Sequence, residues 1–500
     1  MVQSLWKNGA LPFLALCILL AGCQPGAVRA PGSDSKVFTS AEGRAYRVER
    51  IEKKPGGYEK VSGHQVRIYS GGFYDIERED DRYFYVRQYV PVPVAPIEGS
   101  RAPAPIAVVP PSSETFSWQP FDEGLPRTGQ WRDNFAVADM NGDGWPDLIF
   151  APARKAFGPP TVFLSNGKGH WTRWKASFPT LAYDYGGAAV GDFNGDRKPD
   201  IVLGMHLLGI EVVTGDGKGK FADHSGTLPR RQGAAPPRLS SRNVLAFDWN
   251  GDGKAALVAL NEHIGLDPVS GIRDGAVVFV SDPHGSWSAV PSEPALRNAA
   301  LIATDRSGKQ LALLEKPSAS GELRVHVRHG GTWSVHEIGG FPADVLLGGF
   351  AFEGADDEAV FAVSYFTHVD AVWWRHIDLI RRNNATWERV PLLVQDQRPA
   401  IRSLAFGKFR AGKFADLVYL DEGGEAGLLR QDGDGRYTLD RALPAPSWRA
   451  GCEGYGLRTA DLDRDGIDEV VLSFAGEPSA LTGMACRAGG AVEAFKISSK

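Results

Sequence analysis

A nine-residue pattern of oxygen-bearing side chains, written four times between short apolar runs, constrains this chain more than any other feature. The first copy places Asp139, Asn141, Asp143 and Asp147 at loop positions 1, 3, 5 and 9. The second uses Asp192, Asn194, Asp196 and Asp200, and the fourth Asp461, Asp463, Asp465 and Glu469. The third keeps Asp248, Asn250 and Asp252 but has Ala256 at position 9. Position 7, occupied by Trp145, Lys198, Lys254 and Ile467, can add a backbone carbonyl. Such spacing wraps a hard cation that takes roughly six to eight oxygens.

An EF-hand opens in the same way but needs a bidentate Glu at loop position 12 and flanking helices. Here position 12 is Phe150, Leu203 or Leu472, and the flanks are β-branched and aromatic runs bounded by Gly, Asn and Asp. Those are hairpin signals. Asx-turns alone would also favour Asp and Asn at these places. Complete copies at regular spacing favour calcium, as a structural ion at three to four sites.

The Asp-x-Asn-Gly-Asp-Gly-x-x-Asp-Leu core, with the second signature Gly215-Asp216-Gly217-Lys218-Gly219-Lys220-Phe221, resembles the FG-GAP or VCBS repeat of integrin-α-like propellers. The resemblance covers residues from about 114 to the end.

Loop starts fall 53 and 56 residues apart at Asp139, Asp192 and Asp248, and Asp248 and Asp461 are separated by 213 residues, room for three worn copies. These lie near Asp305, Gly349 and Lys408. The fold class expected is therefore all-β, a seven-bladed β-propeller with FG-GAP-type calcium loops after a small β-rich module. One aromatic per blade should open the outer strand: Trp171, Phe221, Trp287, Trp333, Trp387 and Tyr437. The last blade lacks one, while an unassigned strand around Trp118 precedes the first. Residues 114–120 should thus close the ring as the fourth strand of the last blade.

Lys7, the apolar stretch from Leu11 to Leu20 and then Leu20-Ala21-Gly22-Cys23 read as an export signal over 1–22. The end of that segment resembles the lipobox of bacterial lipoproteins, which implies acylation of Cys23. Gln24 at the next position implies an outer-membrane lipid anchor, facing periplasm or exterior. Residues 23–35 form a tether, 36–90 a small β-rich module, 91–112 a Pro-rich linker, and 113–500 the propeller. Cys452 and Cys486 are an even pair in an oxidising compartment and fall on the same rim of the last blade, so a disulfide is expected. A net charge of −5 gives no support for nucleic-acid binding, and a monomer is expected.

No nucleophile elbow, metalloprotease helix, Walker loop or C-x-x-C pair is present in the sequence, and no catalytic residue is assigned. Opposite the acidic loops, the connecting segments collect arginines, Arg449 among them, and aromatic or imidazole side chains. The candidate ligand rim is Trp131, Tyr183, Tyr185, His206, Arg242, His263 and His368, with Trp373 or Trp374 expected in the core. In integrin-like propellers this face meets the ligand. A non-catalytic binding or scaffold propeller for a glycan or protein partner is the favoured reading. The alternative is a polysaccharide lyase, which needs His206, Tyr183 or Tyr185 converging with an Arg on one sugar.

Overall fold

The computed structural model describes residues 38–39, 45–53, 58–62, 65–68, 72–89 and 116–499. Within the last range it omits 155, 157, 231–238, 262–274, 283–284, 319, 343–344, 355–358, 370–371, 384–385, 397, 411–414, 433–435, 441–442, 444–445, 477–485 and 487. The signal segment, Cys23, the Pro-rich linker and His263 lie outside the described residues. The chain divides into two compact units, Met1–Arg101 and Ala102–Lys500.

The first unit holds a six-stranded antiparallel sheet in the order Phe38–Thr39, Ala45–Glu52, Tyr83–Tyr89, Gly72–Glu79, Gln65–Ile68, Tyr58–Ser62. Val66, Ile76, Phe84 and Val86 are its buried core, and the Tyr58 ring meets Phe84 edge-on at 4.8 Å. Along Tyr83–Tyr89 the buried Phe84 and Val86 alternate with the half-buried Tyr83, Tyr85 and Arg87, which suits a sheet with one covered face.

The second unit is a β-propeller of seven four-stranded antiparallel sheets among the described residues. The innermost strands of blades 1 to 7 are Ala136–Ala138, Gly186–Gly191, Asn243–Phe247, Ala299–Thr304, Leu346–Glu353, Ile401–Gly407 and Glu453–Ala460. All seven line one central channel of about 920 Å³. Each blade's second strand is the most apolar, Asp200–Met205 and Leu311–Glu315 being typical, because it is covered on both faces by its neighbours. Outer strands open at Trp171, Phe221, Trp287 and Tyr437, or one residue before Trp333 and Trp387. The Trp171 indole donates to the Phe121 carbonyl (2.9 Å) and that of Trp287 to the His224 carbonyl (2.8 Å), so these anchors bury an apolar body without stranding the N–H.

Ring closure follows the expected route. Phe116–Pro120 pairs antiparallel with Gly490–Ser499, matching Trp118 to Ile497, and is the fourth strand of blade 7. Trp118 packs edge-on against Phe495 at 5.7 Å. Cys452 and Cys486 form a disulfide within the same blade. Two short helical turns, Pro294–Asn298 and the 3₁₀ turn Ser447–Arg449, interrupt the otherwise all-β unit.

Several expected surface positions are instead interior. Trp131 is only 8% exposed and packs edge-on against Phe150 and Phe163, so it is a core residue rather than a rim residue. Arg449 is fully buried, its guanidinium 3.6 Å from the Phe474 ring and 3.2 Å from Glu493. Trp373, at 47% exposure, is on the surface and Trp374 is only half-buried, so neither joins the core. Both stand near the tip of a long hairpin, Val360–Val369 with Val372–Asn383, where strand pairing outruns the neighbouring blades.

Candidate calcium loops and ligand rim

Each acidic loop connects the first and second strands of its blade and is folded by its own position 1 carboxylate. Asp139 accepts the amides of Gly142 and Gly144 (both 2.8 Å), and Asp248 those of Gly251 (2.8 Å) and Gly253 (3.0 Å). Asp192 accepts from Gly195 (2.6 Å) and Arg197 (2.7 Å), and Asp461 from Gly466 (2.9 Å). Positions 4 and 6 take left-handed backbone in all four loops, which explains the glycines there. Arg197 (φ 63°) and Arg464 (φ 58°) hold the same conformation without glycine, so the loop geometry is kept at a local conformational cost.

Position 9 is the buried end of the loop. Asp147, Asp200 and Glu469 are fully buried, as is Asp416, the corresponding acid of blade 6. Asp147 accepts the amides of Met140 and Ser165 (both 2.9 Å), and Asp200 those of Phe193 and Gly215 (both 2.8 Å). The carboxylate therefore ties the loop to the third strand. Burial pushes Asp147, Asp200 and Glu469 up to about 7, only partly offset by these amides. Asp416 is pushed up to about 6 by burial, against its Gln431 amide bond and nearby Arg410.

What accompanies that buried acid differs among blades. In blade 6 the Arg410 guanidinium lies 3.3 Å from Asp416. In blade 7 Lys496, paired across the sheet with Glu469, reaches Asp463, Asp465 (2.6 Å) and Glu469 (3.7 Å). In blades 1 and 2 no cationic side chain among the described residues pairs with Asp147 or Asp200, and the third strands Thr161–Ser165 and Gly209–Gly215 contain no basic residue.

The donor set fits a hard cation. Carboxylate oxygens of Asp461, Asp463 and Glu469 lie within 4.8 Å of one another, and Asp461 Oδ1 and Glu469 Oε1 are buried without hydrogen-bond donors. In the third loop Ala256 removes the buried acid, and Lys254 Nζ donates to the Ser281 carbonyl (3.0 Å). The worn loop of blade 4 has a different use. Asp305 accepts the Gln310 amide (2.9 Å), while Arg306 pairs with Asp468 of blade 7 at 2.7 Å.

On the opposite face the rim residues separate. Tyr185 and His206 sit together, ring centroids 5.1 Å apart, with the Arg154 guanidinium 5.7 Å from the tyrosine ring. Arg242 pairs with Asp133 at 3.1 Å. Tyr183 is half-buried, and its hydroxyl donates to the Pro179 carbonyl (2.9 Å). His368 is exposed on the blade 5 hairpin beside Trp373, ring centroids 4.6 Å apart. Burial raises both tyrosines above the usual phenol range, more than Arg242 and Arg154 lower Tyr185. Sequence reasoning missed Tyr455, whose ring lies 5.1 Å from the Arg132 guanidinium and 4.5 Å from that of Arg402. No spacing signal marks it, because the three residues come from different blades.

These loops and this ring of sheets define a seven-bladed β-propeller that carries FG-GAP-like repeat sequence. Residues 139–203 match the family model described as an FG-GAP-like repeat. Over 106 residues, 19% of this chain, the sequence is 35% identical to human integrin alpha-7. The aligned stretch corresponds to 8% of that relative's length, so the chain spans a small part of it. Among solved structures, Sqt1 from Chaetomium thermophilum aligns with 74% of this chain and 89% of its own at 14% identity and a TM-score of 0.41. AofleA from Arthrobotrys oligospora aligns with 67% of this chain and 93% of its own at 10% identity and a TM-score of 0.35.

Proposed function

We propose that the protein is a calcium-stabilised, non-catalytic binding propeller, held at the bacterial outer membrane by an acylated Cys23. It presents the face opposite the acidic loops to a glycan or protein partner. The observation that carries the calcium reading is the uneven treatment of one buried acid. In the worn loop of blade 6 and in the complete fourth loop of blade 7 the chain supplies its own cation, Arg410 or Lys496. In the complete loops of blades 1 and 2, Asp147 and Asp200 are buried with amide donors but no chain cation among the described residues. A buried carboxylate without a counter-charge is costly, and a bound divalent ion compensates it. Asp139, Asn141 and Asp143, with the Trp145 carbonyl, and Asp192, Asn194 and Asp196, with the Lys198 carbonyl, would complete those shells. Asp248, Asn250, Asp252 and the Lys254 carbonyl would form a weaker third. In the fourth loop the Ile467 carbonyl would join the acids, in competition with Lys496. Calcium here is structural: it neutralises close carboxylates and fixes hairpins.

The lyase reading draws support from the Tyr185–His206–Arg154 group. A tyrosine base needs a lowered pKa, however, and burial moves Tyr185 the other way. One experiment separates the readings. The mature, non-acylated protein is screened on a glycan array with and without calcium, and incubated with acidic polysaccharides while ultraviolet absorbance of unsaturated uronates is followed. Calcium-dependent retention without absorbance change is the expected result; steadily rising absorbance would make the protein a lyase.

A further inference from the structure

Among the described residues five large apolar side chains are well exposed: Leu207, Val335, Leu346, Trp373 and Trp448. Val335 is on an outer strand, Thr332–Ile338. The other four stand at strand ends or connections of the face opposite the acidic loops. Two of them, Leu346 at 60% and Trp373 at 47% exposure, belong to blade 5. The second strand of that blade, Val360–Val369, has ten residues, whereas those of the other blades have four to seven. The excess lies at the end away from the acidic loops.

Strand register gathers aromatic groups on one side of this hairpin. Leu346 is opposite Phe366, and His368 is opposite Trp373. Opposed residues share a face, and so do residues two apart along a strand. The His368 and Trp373 rings lie 4.6 Å apart, and Phe366 stands at 79° to Trp373 with centroids 6.2 Å apart. The hairpin is braced at its base. On its other side Tyr365 stacks on His376 at 4.6 Å, and the His376 Nε2 is 2.8 Å from the Thr367 hydroxyl. Arg375, in the row of Phe366, is buried and donates to Asp421 (2.7 Å), Gln395 (2.6 Å) and the Pro399 carbonyl (3.1 Å). Its charge is thus consumed inside the fold and does not face a ligand.

The polar atoms of the patch select its occupant. The core indoles of Trp131, Trp171, Trp287 and Trp333 all donate their N–H to protein oxygens. Among the described residues the Trp373 N–H has no acceptor, and the His368 ring nitrogens have no partner. An apolar protein surface or a lipid laid over them would bury these groups unmatched, at a cost. A sugar ring would match them. Its polarised C–H groups pack on the electron-rich aromatic face, while its hydroxyls accept from the indole N–H and bond to the imidazole. We propose that the blade 5 hairpin is a stacking platform for a neutral pyranose unit of a glycan. Trp373 and His368 make the contact, and Phe366 and Leu346 flank them. This assignment deepens the binding reading and rests on it.

Calorimetric titration of the mature, non-acylated protein with maltotetraose, cellotetraose and chitotetraose tests the platform, with tetragalacturonate as the acidic comparison. At least one neutral tetrasaccharide should bind. Trp373→Ala should weaken it about ten-fold, the scale of one lost stacking contact, with the melting transition intact because the side chain is exposed. Trp373→Phe, which keeps a ring but loses the N–H, should fall between. Val335→Ala, an equal loss of exposed apolar surface elsewhere, should leave binding unchanged. Neutral-sugar binding that survives Trp373→Ala, or tighter binding of tetragalacturonate, overturns the platform and keeps a glycan binder. Silence toward all three neutral sugars also overturns it, and leaves the binding reading with a protein or acidic partner. Neither failure touches the non-catalytic reading, which the absorbance assay decides.

Discussion

At the scale of single residues, the buried position 9 acids give the clearest pH signature. Asp147 and Asp200 rise from 3.8 to about 7 on folding. A carboxylic acid raised in this way favours the fold while protonated, below pH 3.8, and that contribution is lost as pH rises through about 7. Without calcium, stability should therefore fall across this window, by up to about 4 kcal/mol per site on the unit-to-energy conversion. Calcium should restore it, so the calcium-induced melting shift should grow from pH 4 to 7 and then level off. Asp147→Asn with Asp200→Asn should flatten the dependence, as differential scanning calorimetry with and without chelator can check. Asp143→Ala should reduce the calcium shift at pH 7, whereas Asp305→Ala should destabilise by losing its turn bonds yet leave that shift unchanged. Residues of this kind were legible because their spacing is local. Arg449 and Trp131 were not. Each is buried by partners far away in sequence, Glu493 and Phe474 for the arginine and Phe163 for the tryptophan. Replacing Arg449 by Met leaves Glu493, among the described residues, with Arg127 alone at 3.7 Å, and a loss of about 3 kcal/mol should appear in urea unfolding.

At the scale of elements, the blade period survived the loss of its ligands because the strands are specified separately from the loops. Worn copies keep the apolar second strand, as in Leu311–Glu315 and Asp416–Asp421, and replace the ion by internal contacts. Strand Tyr58–Ser62 of the first unit carries little signal in the sequence, since its Tyr-Glu-Lys-Val-Ser run is short and mostly polar. Lys496 was equally hidden: its partners lie 27 to 33 residues away, joined only by the pairing of blade 7's second and third strands. It makes the fourth loop behave unlike the first two. Lys496→Met should lower stability in chelator, because Asp463, Asp465 and Glu469 then repel one another without a counter-charge. Calcium should stabilise this variant more than the parent, since the ion no longer competes with an ammonium. Equal calcium shifts in the two proteins would refute competition at that loop. Asp465→Ala should accordingly alter the calcium shift strongly only in the Lys496→Met background.

At the scale of the whole molecule, closure depends on chain ends that meet late. Ser117 and Ser498 share a hydrogen bond (2.8 Å) across 381 residues, so blade 7 is completed only after the entire propeller has been made. Such long-range pairing carries a large loop entropy and is expected late in folding. Two devices act on that blade and differ in reach. The disulfide closes 34 residues inside the blade and stabilises it by about 4 kcal/mol on the chain-entropy relation. Cys452→Ser with Cys486→Ser should thus lower the melting temperature while leaving the ring closed. The strand Phe116–Pro120 acts across the seam, because the chain runs on from it into blade 1. Phe121 donates its amide to the Ala494 carbonyl (2.8 Å), and Val492 donates to that of Pro126 (2.9 Å). Deleting residues 116–120 removes the partner of Gly490–Ser499 and exposes a ten-residue edge strand, a template for pairing with other chains. That deletion should produce oligomers on size exclusion and fast amide exchange in blades 7 and 1, with blades 3 to 5 still protected. The double-serine variant should stay monomeric with ordinary protection at the seam. A monomeric deletion variant with a protected seam would mean that the inner-strand contacts, Arg458 to Asn134 among them, close the ring without the outer strand.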